Sequence, residues 1–314
     1  MNRYICLGFD SGGTKSAVLV ADTGGRILCR EEIPTGAPRE TLEKLFEIAS
    51  RFPRAALAGI SCGGPLDEGK GLILSPPNLP GWDRVPITEM VSRRFGIPTA
   101  LMNDADAGAL AEWRFGAGRG CESLVFLTFG TGLGAGLVLG GRRYRGASGY
   151  AGELGHIRLA DDGPVGYGKR GSFEGFASGG GIAQSARAAA LRAIERGETV
   201  AYASTVESLA SVSAKTVAEA AFAGDPTAIE VYREAGRRLG QGLAIVVDLV
   251  NPERILLGGV FLRAEALLRP SMEEVLAREC LPGALSAVTI SPTGLGESIG
   301  DYAALSVAMT LIKD

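Results

Sequence analysis

The stretch Asp10-Ser-Gly-Gly-Thr-Lys15 sets a carboxylate, two hydroxyls, two adjacent glycines and an ammonium group between two apolar runs within residues 4–20. Apolar runs rich in strand formers on either side of a tight polar turn predict a β-hairpin. Gly12 and Gly13 let successive backbone N–H groups converge on one small volume that suits an anion, and Ser11, Thr14 and Lys15 add donors and positive charge. Asp10 would repel that anion unless a cation lay between them. A phosphate carrying Mg2+ meets both requirements, because Mg2+ keeps several waters and takes few carboxylates, with Asp10 its contact through water. A plain glycine-rich hairpin tip is the alternative for this segment taken alone.

Residues 124–139 repeat the plan of apolar strand, polar tip (Gly130, Thr131, Gly132) and apolar strand. Two phosphate-type hairpins far apart in one chain suggest a duplicated fold with a nucleotide held between its halves. Asn103-Asp104 follows a predicted strand, 99–102, at the mouth of an alanine-rich helix beginning at Ala105. An Asp there lies where open α/β sheets bind ligands, and it could take a proton from a substrate hydroxyl. Alternatively, Asn103 or Asp104 caps the helix. His156 is the single histidine, which excludes a Ser-His-Asp or multi-histidine metal mechanism. With Glu153 and Glu174, both in glycine-rich segments, it forms a candidate polar clamp for a polyhydroxylated ligand; a structural hydrogen-bonding role is the alternative. Gly258-Gly259, after a short strand at 254–257, would admit a flat ligand such as adenine or ribose, or would make a strand-to-helix turn.

These residues need elements to carry them. A third strand is expected at 26–30, and a helix over 38–50 with Leu42, Leu45, Phe46 and Ala49 inward. A buried strand over 56–60 runs into the sharp loop Ser61-Cys-Gly63-Gly64-Pro65, and the Pro/Gly/Asn-rich loop 74–82 is either substrate-facing or a surface excursion. Helices follow at 86–95, 182–197, about 214–223, 226–250 (stopped by Asn251-Pro252) and 302–312, with a strand at 287–290. At 314 residues, 46% hydrophobic and 21% charged, the chain can bury substantial cores. A net charge of −3 argues against a nucleic-acid partner. The first apolar run is broken at Gly8 and Asp10 and no span is long enough for a bilayer, so a cytoplasmic location is expected. Five scattered cysteines without a Cys-x-x-Cys pair are expected to be buried free thiols.

Taken in order, Asp10-Ser-Gly-Gly-Thr-Lys15, Asn78-Leu-Pro-Gly-Trp82, Asn103-Asp104, Gly130-Thr-Gly-Leu-Gly134, Gly152-Glu-Leu-Gly-His156, Gly171-Ser-Phe-Glu174 and Asn251-Pro with Leu257-Gly-Gly259 resemble the ROK family (repressor, open reading frame, kinase) of sugar kinases, within the actin/hexokinase-like ATPase superfamily. The resemblance covers essentially the whole chain. It implies two α/β lobes, 1–112 plus 301–314 and 113–300, with an active site in the cleft. Asp104 would be the base that deprotonates a hexose or N-acetylhexosamine hydroxyl, usually on C6, and ATP–Mg2+ the donor. Gly64, Asn78, Asn103, Glu153, His156 and Glu174 would bind the sugar. Gly12, Gly13, Thr14, Lys15, Gly130, Thr131 and Gly132 would hold the phosphates, and Gly258 and Gly259 would border the nucleoside. A homodimer is the family's common habit. Such an arrangement is coherent, because phosphoryl transfer needs mainly alignment and charge neutralisation.

Two departures stand out. Where many family members have a zinc-binding Cys-x-Cys-Gly-x-x-Gly-Cys-x-Glu loop, this chain reads Val165-Gly-Tyr167-Gly-Lys-Arg-Gly-Ser172-Phe-Glu174, without the thiols, so zinc is not expected and Tyr167 and Phe173 are the candidates for holding the loop by packing. The family's repressors open with a helix-turn-helix domain, whereas this sequence opens at the first hairpin, so a regulator is not expected. A non-catalytic sugar or nucleotide sensor of the same fold is the alternative to a kinase. Retention of Asp104 and Asp10 speaks against it, since a sensor needs no base.

Overall fold

Both predicted hairpins form. In the computed structural model, which describes residues 3–312, β1 (Ile5–Ser11) pairs antiparallel with β2 (Lys15–Asp22), and β2 with β3 (Ile27–Pro34). After α1 (Pro38–Ala49), β4 (Leu57–Cys62) joins β1 in parallel. A short β5–β6 hairpin (Leu66–Asp67, Leu72–Ile73) and α2 (Ile87–Phe95) precede β7 (Thr99–Asn103), parallel to β4, and α3 (Asp104–Phe115). The strand order is β3-β2-β1-β4-β7. With the last helix of the chain, α10 (Ile299–Met309), these elements belong to a unit formed by 1–120 and 297–314.

One face of this sheet packs α1, whose Leu42, Leu45, Phe46 and Ala49 are all buried as their spacing predicts. Phe46 stands edge-on to both Phe9 and Phe95, at 6.1 and 5.7 Å between ring centres, an arrangement the ring quadrupoles favour. The other face takes α10 so closely that a Cβ on Gly59 would lie 2.2 Å from the Ala304 carbonyl oxygen. Loop 74–82 is pinned rather than free, with Leu79 and Trp82 buried and the Trp82 indole N–H donating to the Gly36 carbonyl at 3.0 Å.

The second unit, 121–296, repeats the topology. Its strands β8 (Leu124–Phe129), β9 (Leu133–Leu139) and β10 (Arg142–Arg143) are antiparallel, and β13 (Arg254–Leu257) and β14 (Thr289–Pro292) continue from β8 in parallel, in the order β10-β9-β8-β13-β14. Strand order and directions match those of the first sheet, so the duplication suggested by the paired hairpins holds at the level of topology. Between β10 and β13 lie a 3-10 turn (Leu154–His156), the hairpin β11–β12 (Val165–Gly166, Lys169–Arg170), and the helices α4 (Phe173–Phe176), α5 (Gly179–Glu195), α6 (Ala214–Phe222) and α7 (Pro226–Val250). Asn251 closes α7 in the left-handed conformation, φ 48°, as an Asn ahead of Pro252 allows.

Two stretches differ from the expected elements. Val260–Glu279 is a helix, α8, with a break at Ala264 and Pro270 inside it; an internal proline and interrupted periodicity hide such a helix from pattern reading. Strand β14 starts at Thr289 instead of 287, because Pro282–Ala287 forms helix α9, opened by a proline whose fixed φ suits a first turn. All five cysteines are free and four are buried, Cys29 being half-buried. No described helix is long and apolar enough to cross a membrane.

Candidate active site

In the first unit, strand register collects the chemistry at one edge. Asp10 lies opposite Ser61 on β4, and Cys62 opposite Asn103 on β7, so Asp10, the 61–65 loop and Asn103-Asp104 all leave the carboxyl ends of parallel strands, where such sheets bind ligands. Asn103 is the N-cap of α3, its Oδ1 accepting the Ala105 N–H at 2.9 Å. The capping alternative thus holds for Asn103, and the helix begins at Asp104, one residue earlier than expected. Asp104 Oδ1 accepts the same N–H at 2.9 Å, and Oδ2 faces Gly63. A Cβ on Gly63 would stand 3.8 Å from Asp104 Oδ2, 3.8 Å from Asn78 Oδ1 and 3.7 Å from Asn78 Nδ2; one on Gly64 would stand 3.4 Å from Asn103 Nδ2. Three polar side chains predicted from sequence therefore converge over two bare glycines. Asp104 is exposed, yet the protein mass around it raises its pKa above the usual carboxylate range, against the pull of backbone N–H donors at Ala105 and its own residue.

Asp10 is half-buried, and a Cβ on Gly300, in the first turn of α10, would lie 2.4 Å from its Oδ2. Burial first, and then the charges of Asp104 and Asp301, push its pKa up to about 7, while Arg30 draws it down. The negative charges of Asp104 and Asp301 beside Asp10 are what a cation there would offset, and a single carboxylate completed by water is a donor set that fits Mg2+. Among the described residues no three His, Cys, Asp or Glu side chains are grouped to hold a metal; Mg2+ needs no such cage. Arg30 Nε donates to both oxygens of Asp301 at 2.8 and 3.0 Å, and its Nη2 to Glu32 at 2.9 Å. Glu32 in turn takes the Lys15 ammonium at 2.6 Å. Lys15, expected over the phosphate turn, is thus paired along the neighbouring strand, because Glu32 on β3 lies within its reach. The turn is closed by Gly12 N–H to the Lys15 carbonyl at 3.0 Å, Gly13 abuts the Asn78 backbone, and Thr14 is exposed with its carbonyl accepting the Thr35 N–H at 3.0 Å. Ser11, expected to add a donor there, has its hydroxyl buried without a hydrogen-bond partner.

In the second unit, the Gly130-Thr131-Gly132 tip is gripped by glycines. The Gly130 and Thr131 carbonyls accept the N–H groups of Gly179 and Gly180, at the start of α5, at 2.8 and 3.0 Å. Gly258 N–H donates to the Leu127 carbonyl at 3.0 Å. Gly259, at φ 57°, approaches the tip so closely that a Cβ would lie 2.0 Å from the Phe129 carbonyl oxygen, which only glycine tolerates. Glu174 Oε2 accepts the Leu133 N–H at 2.9 Å, so this acid touches the second hairpin, a contact the sequence did not announce. The 3-10 turn after Glu153 brings Gly155 against Glu174, with Glu153 and His156 exposed on either side.

The 165–174 segment corrects one expectation. Phe173 is fully buried against Gly242 of α7, whereas Tyr167 is 68% exposed and holds nothing in place. Hydrogen bonds take its part: Gln184 of α5 accepts the Val165 N–H at 3.1 Å and donates to the Val165 carbonyl at 2.8 Å, Arg158 Nη1 donates to the Arg170 carbonyl at 2.7 Å, and Lys169 Nζ to the His156 carbonyl at 2.6 Å. Polar side chains reaching backbone groups of another segment leave no signal in sequence spacing, so these three were missed.

Comparison with known proteins identifies the family and the fold. The ROK family pattern matches residues 6–313. A glucokinase of Streptomyces coelicolor is 35% identical over 260 residues, 81% of each chain, and an N-acetylmannosamine kinase of Citrobacter koseri is 34% identical over 281 residues, 87% of this chain and 89% of that one. Among solved structures, a ROK family glucokinase from Streptomyces griseus in complex with glucose and AMPPNP superposes with a TM-score of 0.79 at 31% identity, covering 98% of this chain and 99% of that one.

Proposed function

The chain belongs to the ROK family, and on that premise we propose that it is an ATP-dependent sugar kinase that phosphorylates a hexose or N-acetylhexosamine, at the 6-hydroxyl, with Asp104 as general base. The observation that carries this reading is the convergence of Asp104 Oδ2 and the Asn78 side chain over Gly63. Asn78 can donate to one sugar hydroxyl and accept from another, which leaves a hydroxyl for Asp104 to deprotonate. A carboxylate whose pKa is raised is the stronger base for that transfer.

Asn103 and Gly64 complete the sugar contacts of the first unit; Glu153, His156 and Glu174 supply those of the second. Each acceptor that the bound sugar covers discriminates against an analogue lacking the matching hydroxyl. ATP–Mg2+, when bound, supplies the phosphoryl group and neutralises its charge. Asp10 would hold the cation, Gly12, Gly13, Thr14, Gly130, Thr131 and Gly132 would present backbone or hydroxyl donors to the phosphates, and Gly258 and Gly259 would flank the nucleoside. Lys15 joins them by exchanging Glu32 for phosphate. The relatives named glucokinase and N-acetylmannosamine kinase support both acceptor classes. The protein works as a homodimer in this reading, and exposed Ile245 and Leu249 of α7, with Leu281, are its candidate apolar contacts.

The test is ADP release with Mg2+–ATP against a panel of hexoses, their 6-deoxy analogues and N-acetylhexosamines, with Asp104→Asn in parallel. Turnover on one sugar, absent for its 6-deoxy analogue and reduced roughly 10²–10⁴-fold in Asp104→Asn with sugar binding retained, is expected. Near-normal kcat in the variant overturns the assignment of the base.

A further inference from the structure

Resting on that reading, we propose that Gln184 is a positioning residue for the sugar contacts of the second unit. Its carboxamide makes two hydrogen bonds to one backbone residue, Val165, at 3.1 and 2.8 Å, the pattern an added strand would make. Val165 opens the β11–β12 hairpin, where it pairs with Arg170, and Gly166 with Lys169. From that hairpin Lys169 Nζ reaches the His156 carbonyl at 2.6 Å, and Arg158 Nη1 the Arg170 carbonyl at 2.7 Å. The Arg158 and Ser172 backbones form an isolated antiparallel β-bridge, within which Phe173 N–H donates to the Ile157 carbonyl at 2.7 Å. The backbones that present His156 and Glu174 are thus tied to each other and, through Gln184, to α5.

The same helix anchors the second phosphate-type turn through Gly179 and Gly180. Gln184 therefore fixes the sugar-binding segment to the element that fixes the Gly130–Gly132 turn. Gln184 is half-buried and lines an open surface groove with Asp162, Arg170 and Glu234, so shortening it opens no cavity in the core. Releasing Val165 detaches the first strand of the hairpin from α5 and loosens the Lys169 bond to the His156 carbonyl, while α5 and its glycines stay in place and the Phe173–Ile157 and Gly171–Leu159 backbone bonds keep the segment folded. Sugar affinity should fall and nucleotide affinity should not.

The variants are Gln184→Ala, Gln184→Glu (which keeps the acceptor for the Val165 N–H but loses the donor), Lys169→Met, and Ser185→Ala as a neighbouring control on α5. Steady-state kinetics supplies KM for sugar, KM for ATP and kcat; calorimetric titration supplies sugar affinity without turnover. Loss of two hydrogen bonds predicts a sugar KM and Kd raised about tenfold in Gln184→Ala. Gln184→Glu should recover part of the loss, Lys169→Met should move the same way, and KM for ATP and kcat should stay within about twofold. A double variant combining Gln184→Ala with Lys169→Met should fall short of the product of those two singles, since both act along one path. Sugar affinity unchanged in both single variants, or KM for ATP rising in step with that for sugar, overturns the proposal. Failure of the underlying kinase reading looks different: the unmodified protein then neither binds nor phosphorylates any sugar.

Discussion

Replacing Asp10 by Asn should stabilise the first unit at alkaline pH while abolishing metal-dependent turnover. In the folded chain the Asp10 pKa is about 7, against an ordinary 3.8. Well below pH 3.8 both folded and unfolded states hold the proton and Asp10 costs nothing. As pH rises from 3.8 towards 7 the unfolded chain ionises and the folded one does not, so stability is lost across that window and stays lost above it. About three units at ~1.4 kcal/mol each give ~4 kcal/mol, and water drawn to the ionised group reduces this to ~2–4 kcal/mol. Asparagine keeps the shape and removes the cost. Trp82 and Trp113, the two tryptophans, both lie in the first unit, so tryptophan fluorescence reports its melting. With Mg2+ removed by chelation, Asp10→Asn should melt roughly 5–10 °C above the unmodified protein at pH 8 and within about 2 °C of it at pH 4.5. Added Mg2+ and ATP should raise the melting temperature of the unmodified protein alone. A shift that is the same at both pH values, or a variant less stable at pH 8, refutes the reasoning.

Arg30→Met removes the group that draws the Asp10 pKa down, so the acidic limb of the kcat/KM profile should move to higher pH, measurable by a pH–rate series at saturating Mg2+. Gly259→Ala forces a Cβ onto the Phe129 carbonyl at a positive φ; it should cost about 1–3 kcal/mol in denaturant unfolding and weaken AMPPNP binding more than sugar binding. Phe173→Ala empties a fully buried site against Gly242 and should cost ~3–5 kcal/mol, read from urea midpoints. A Tyr167→Ala change, at an exposed ring, should stay within about 0.5 kcal/mol.

The sequence alone determined the parts whose causes are local. Strand, turn and strand around Asp10 and around Gly130 follow from apolar runs broken by glycines, and α1 from its inward leucines. Repetition of one local pattern was enough to expose the duplicated sheet, whose two strand orders agree. A helix cap at Asn103 or Asp104 followed from residue type and position, and the structure selects Asn103. Hidden elements were those where local preference conflicts with tertiary packing, such as α8 with Pro270 inside it. Only the tertiary structure decided where side chains spend their charge. Lys15 turns to Glu32 because β3 carries a carboxylate into its reach, Glu174 meets the second hairpin tip, and Gln184 rather than Tyr167 secures the 165–174 hairpin. Those contacts join residues distant in the chain, and the free energy that selects them arises when the backbone has already brought the groups together, which no spacing along the sequence encodes.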